Sequence, residues 1–135
     1  MGLFGKKYKD IDVRAMYYDG ELPNFIADHA CRIILQETDL ILAQSVPKVE
    51  VRLERSRVQS IEQLPEVDYM LKYKGASGRV YGKGEAPRSF FVIHYVTKNG
   101  TNQHVDFWGT SMESIKIMKL QQRLIADQKP TSCEI

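Results

Sequence analysis
The sequence is poor in cysteine, has no long apolar run and is nearly balanced in charge, and each shortage closes off a class of protein. Its 135 residues hold two cysteines, Cys31 in an apolar run and Cys133 in a polar tail. That spacing forms no disulfide framework and no metal signature, so a reducing cytoplasm is the expected compartment. The longest apolar fragments, "RIIL" and "LILA", fall far short of a bilayer span. The first lysines are not followed by an apolar stretch, so no signal peptide is expected. Gly2 stands where a myristoylated glycine would, but Lys6 occupies the place of the expected Ser or Thr. A net charge of +2 carries no argument for nucleic acid by itself, so any electrostatic case must be local. The size is that of one domain able to bury a core without staples.

Catalytic signatures are also missing. His29, His94 and His104 are not in metalloprotease spacing, no Ser or Cys sits in a nucleophile motif, and the carboxylates are scattered singly. "GRVYGKG" at 78–84 has three residues between its first two glycines, where a phosphate loop needs four. It also ends in Gly84, where that loop needs a metal-binding hydroxyl. The expectation is a protein that is not an enzyme and holds no cofactor or metal.

What is present is strand periodicity. "DVRAMYYDG" sets Val13, Ala15 and Tyr17 against Arg14, Met16 and Tyr18 and ends in a turn. "CRIILQ" and "LILAQ" flank Glu37–Asp39 as a hairpin, and "KVEVRLER" alternates cleanly enough for one buried and one wet face. "RVQSIEQL" reads as a connecting piece or a short strand. Residues 69–88, broken by Gly75, Gly78, Gly82 and Gly84, read as a long hairpin or loop. "FFVIHYVTKNGTNQHVDFW" places Asn99-Gly100 as a two-residue hairpin turn, with Tyr95 opposite His104 and His94 opposite Val105. In that register Val92, Val96, Val105 and Phe107 share the core face. Thr110 and Glu113 form a capping box opening a helix over about 111–127, which Lys129-Pro130 ends. The pattern predicts six or seven antiparallel strands followed by one helix.

Several stretches resemble small bacterial pleckstrin-homology-like proteins of unknown function: "MGLFGKK", "YYDGELPNF", "RVQSIEQL" and the final "FFVIHYVTKNG…HVDFWGTSMESIKIMKLQQRL". The resemblance implies a mostly β (α+β) fold, a rolled antiparallel sheet or open barrel of six or seven strands with one C-terminal α-helix closing it. The expected organisation is a flexible basic segment over 1–10, one such domain over 11–128 and a loose tail over 129–135. Family members that bind phosphoinositides resemble one another in a basic first inter-strand loop. Residues 18–31 here carry Asp19, Glu21 and Asp28 and no Lys or Arg, so that site is not carried over.

Two features point to binding. On the helix, Ile115, Met118, Gln122 and Ile125 form one stripe and Ile117, Leu120 and Leu124 another, while Lys116, Lys119, Arg123 and Asp127 share a wedge. One stripe must plug the core. The other is covered by the chain's own loops or meets another protein. The expectation assigns Ile117, Leu120 and Leu124 to an interface, together with the outer hairpin face of Phe91, Ile93, Tyr95 and Trp108. The leading expectation is therefore a cytoplasmic, self-associating binding or scaffolding module acting through protein–protein contacts. The alternative is a peripheral adaptor for anionic lipid or nucleic acid. It would use Lys6 and Lys7 beside Leu3 and Phe4, with Lys72, Lys74, Arg79 and Lys83 of the tyrosine-interleaved 69–88 segment.

Overall fold
In a computed structural model the chain lays down seven strands and then a helix. The structure describes residues 9–77, 84 and 86–128. The strands are β1 (Ile11–Asp19), β2 (Ala30–Leu35), β3 (Asp39–Gln44), β4 (Val49–Glu54), β5 (Val58–Pro65), β6 (Ser89–Val96) and β7 (Asn102–Gly109). Helix α1 (Glu66–Tyr69) runs on into a π turn over Met70–Lys74, and α2 (Ser111–Gln128) follows β7. All neighbours pair antiparallel in one open sheet ordered β4-β3-β2-β1-β7-β6-β5.

That order forces a curl. β4 and β5 are the two edges, yet only the 3₁₀ residues Arg55–Arg57 join them. Laid flat, seven strands would hold their edges about 29 Å apart. The link can span at most about 14 Å. The sheet therefore rolls until its edges approach. Arg55 fixes the corner: its guanidinium is buried, donates to the carbonyls of Gln36 and Glu37 at 3.1 and 3.3 Å, and meets Asp127 of α2 at 2.8 Å.

The hollow of the roll is filled by paired inward residues such as Val13 with Ile33, Leu35 with Leu40, Phe91 with Phe107 and Ile93 with Val105. Ile117, Leu120 and Leu124 of α2 complete this core and are at most 2% exposed. This corrects the interface assignment. The stripe expected to meet a partner is the one that plugs the sheet, because α2 turns it toward the hollow. Ile115, Met118 and Ile125 are left outside.

The last hairpin is corrected too. Its loop has three residues, Lys98–Gly100. Thr97 N–H donates to Thr101 O at 2.8 Å, Gly100 N–H donates to Thr97 O at 2.9 Å, and Gly100 takes the left-handed conformation, φ 88°. Tyr95 thus pairs with Gln103 and His94 with His104, one residue off the expected register. A slip of one exchanges the faces of a strand. Phe91 and Ile93 lie in the core rather than at an interface, and Tyr95 packs against that core. Phe90 and Val92 turn to the opposite face, where α1 covers them. There Tyr69 stacks on Phe90 at 4.1 Å, and Trp108 packs alongside with its Nε1 donating to Asp28 at 2.9 Å.

Residues 66–74 are helical, and 69–74 of them fall in the 69–88 stretch expected to be a hairpin or loop. The stretch carries Glu66 and Asp68 in its first turn, Lys72 and Lys74 in its last, and Gly75 at φ 59° as its stop. These end signals were legible in "PEVDYMLKYKG" and were masked by the glycines that follow. Replacing Leu120 by Ala is expected to cost about 3 kcal/mol in urea unfolding, the cost of an emptied core site. Met118→Ala, on the opposite side of α2, is expected to stay within about 0.5 kcal/mol.

Candidate binding surface
Three anchors set the roll of α2 on the sheet. At its start Glu113 Oε1 accepts from the Thr110 amide at 2.8 Å and from the Thr110 hydroxyl at 2.9 Å, the reaching-back half of a capping box. Gly109 permits this close entry, since a Cβ there would stand 2.7 Å from Glu113 Cβ and 3.1 Å from the Phe91 ring. Along one flank Gln63 of β5 donates to Ser114 O at 3.1 Å. On the other flank Arg123 donates to Lys9 O at 3.2 Å, just before β1.

With its inner face fixed, the helix presents Met112, Ile115, Met118 and Ile125 outward, 50–65% exposed. A contiguous apolar strip of this kind on a folded chain is a candidate contact surface. Beside it lies the basic wedge. Lys9, Lys116, Lys119 and Arg123, with Asp10 and Asp12, border a groove of about 490 Å³ between α2 and the start of β1.

A second polar cluster occupies the far side of the sheet, under α1. His94 and His104 face each other across β6 and β7, their rings 5.7 Å apart. His94 Nε2 donates to Glu62 at 3.0 Å, and Tyr73 OH and Lys72 Nζ donate to the same carboxylate at 2.5 Å each. His104 Nδ1 donates to Asp106 at 2.6 Å, and Tyr69 OH completes that fully buried carboxylate at 2.5 Å. Burial opposes the charge on Glu62, but the bonds from Lys72, Tyr73 and His94 outweigh it and bring its pKa from 4.5 to about 2. Burial first, and Asp106 second, push the Tyr69 phenol well above its usual range.

What this cluster does chemically is fasten α1 to the sheet: each carboxylate is spent on donors from α1, the π turn or the facing strands. The Cys31 thiol is buried in the core and pushed up to about 11 by that burial, which keeps it protonated and a poor nucleophile. Among the described residues no group of three His, Cys, Asp or Glu is placed to hold a metal. Nor, among them, is any helix long and apolar enough to cross a membrane.

The residues expected to hold a polyanion fare differently from one another. Lys72 is engaged by Glu62 and Lys74 by Asp19, so both charges are met inside the molecule. The Lys74 ammonium holds Asp19 below the usual carboxylate range. Lys6, Lys7, Arg79 and Lys83 lie outside the described residues. The structure instead gathers Lys9, Lys116 and Lys119, whose wedge was visible as helical spacing but whose groove depends on β1.

No protein-family model matches this sequence, and no curated protein matches it.

Glu62 provides a pH test of the fastening. Its folded pKa is depressed, so its stabilisation is complete above about pH 4.5 and is lost as pH falls toward 2. In urea unfolding, the stability gap between the native chain and Glu62→Gln is expected to narrow steadily from pH 6 to pH 2. A gap that does not change with pH would show that the Glu62 carboxylate is not engaged.

Proposed function
We propose that this chain is a non-enzymatic binding module of the pleckstrin-homology-like kind, which docks a second copy of itself through the outward face of α2. The observation that carries the reading is the division of the helix. One stripe is fully buried in the core, while Met112, Ile115, Met118 and Ile125 stay 50–65% exposed on the other side. The seven-stranded rolled sheet with a helix over its hollow supports the family part of the reading.

A second copy is the occupant favoured here because it brings the same strip, and a two-fold pair needs no other surface. Each side chain of the strip that loses its remaining exposure contributes about 1 kcal/mol. The lysines along one edge, Lys116 and Lys119, oppose the pairing by like-charge repulsion, so added salt strengthens it.

Sedimentation velocity over a concentration series tests this. The native chain is expected to move toward the dimer mass as concentration rises, and further so at higher salt. Ile115→Ser combined with Met118→Ser is expected to hold the chain monomeric with an unchanged unfolding midpoint. A native chain that remains monomeric throughout overturns the self-association.

A further inference from the structure
We infer that the groove between the start of β1 and the basic wedge of α2 is a binding site for a phosphate-bearing anion. The site is separate from the outward apolar strip and does not rest on the self-association reading.

The argument begins with which charges in the groove are already met. Asp12 is taken by Arg32, whose Nε and Nη2 reach its two carboxylate oxygens, and Asp10 accepts from Gln36 at 3.4 Å. Asp127, the acidic member of the helical wedge, is held by Arg55 at the rolled corner. Arg123 is committed to the Lys9 carbonyl. The ammonium groups of Lys9, Lys116 and Lys119 make no ion pair or hydrogen bond with any described residue, although two aspartates share the groove with them. This contrasts with Lys72 and Lys74 on the other side of the sheet, each of which has its carboxylate.

Helical spacing keeps Lys116 and Lys119 on one side of α2, where like charges one turn apart repel. Arg123 donates to the carbonyl of Lys9, just before β1, and so holds the backbones that carry these three lysines side by side along the groove. A ligand supplying the missing negative charge relieves that repulsion. A carboxylate brings one charge and two acceptor oxygens. A phosphate monoester brings nearly two charges and three outer oxygens, a closer match to three ammonium donors. The groove volume of about 490 Å³ exceeds a phosphate group and leaves room for the organic body that carries it. The same chemistry is offered by a soluble phosphate compound and by the headgroup of an anionic lipid.

The test uses the full chain and two probes at constant ionic strength. Inorganic pyrophosphate is titrated in and followed by amide chemical shifts. Vesicles of phosphatidylcholine, with and without phosphatidic acid, are used for flotation. Saturable shifts confined to residues 9–12 and 116–123 are expected, and Lys116→Gln with Lys119→Gln is expected to weaken binding by about tenfold or more. Lys48→Gln with Lys98→Gln, two lysines outside the groove, is expected to leave it unchanged. Thermal unfolding of the groove variant is expected to match the native chain or lie slightly above it, since only mutually repulsive charges are removed. Pyrophosphate binding without flotation assigns a soluble ligand. Flotation that requires phosphatidic acid and is lost in the groove variant assigns a lipid headgroup. Absence of both, or binding that the groove variant retains, overturns the site.

Discussion
The three residues Arg55–Arg57 govern this molecule, because they join the two edges of one sheet. No flat arrangement satisfies so short a link, so the seven strands must roll. Rolling creates a hollow, and a hollow needs a plug. Helix α2 supplies it with Ile117, Leu120 and Leu124, while the buried guanidinium of Arg55 ties the link to the β2–β3 turn and to Asp127 near the end of α2. Link, roll and plug are thus one coupled arrangement. Losing the Arg55 guanidinium would leave two turn carbonyls and a helix carboxylate short of a donor at once.

The roll also explains why the last hairpin carries large apolar residues on both faces. Strands β6 and β7 lie between two covers. Phe91, Ile93, Val105 and Phe107 face the hollow, and Phe90 and Val92 face α1. A hairpin buried on both sides is what a sheet requires where helices pack on each face. The polar residues under α1 then serve attachment: Glu62 and Asp106 draw Lys72, Tyr73 and Tyr69 from the short helix and its π turn onto the sheet. The outward face of α2 and its flanking groove bring exposed apolar side chains and the ammonium groups of Lys9, Lys116 and Lys119 close together.

These two sides differ in electrostatic state, and the difference gives the molecule a polarity. Beneath α1 each basic partner was placed next to an acid by the chain itself. Along α2 and the start of β1, the ammonium groups of Lys9, Lys116 and Lys119 are collected without an ion pair among the described residues. On the proposed reading, the repulsion between these like charges in the free chain is relieved when an anion or a screening medium arrives. On the same reading, the apolar strip beside them responds to concentration of a partner instead.

Much of the fold was legible in the sequence because it is written in short-range chemistry. The alternation of "KVEVRLER", the turn after "DVRAMYYDG", the Glu37–Asp39 hairpin and the Thr110–Glu113 cap each lie within a few residues, and the strands and α2 stand where these placed them. The sequence alone also determined that α2 has two apolar stripes and a basic wedge, since 3.6-residue periodicity is local. It could not determine which stripe turns inward, because that depends on the sheet α2 meets. A single extra residue in the Lys98–Gly100 loop reversed the faces of β6 while Val105 and Phe107 of β7 stayed in the core, and the choice between a two- and a three-residue turn is decided by how the strands pack. The partners of Lys72 and Lys74 come from Glu62 and from the distant Asp19, and the cross-strand His94–His104 pair follows from that register. Periodicity fixes the existence of a face; only tertiary structure fixes what the face is turned toward.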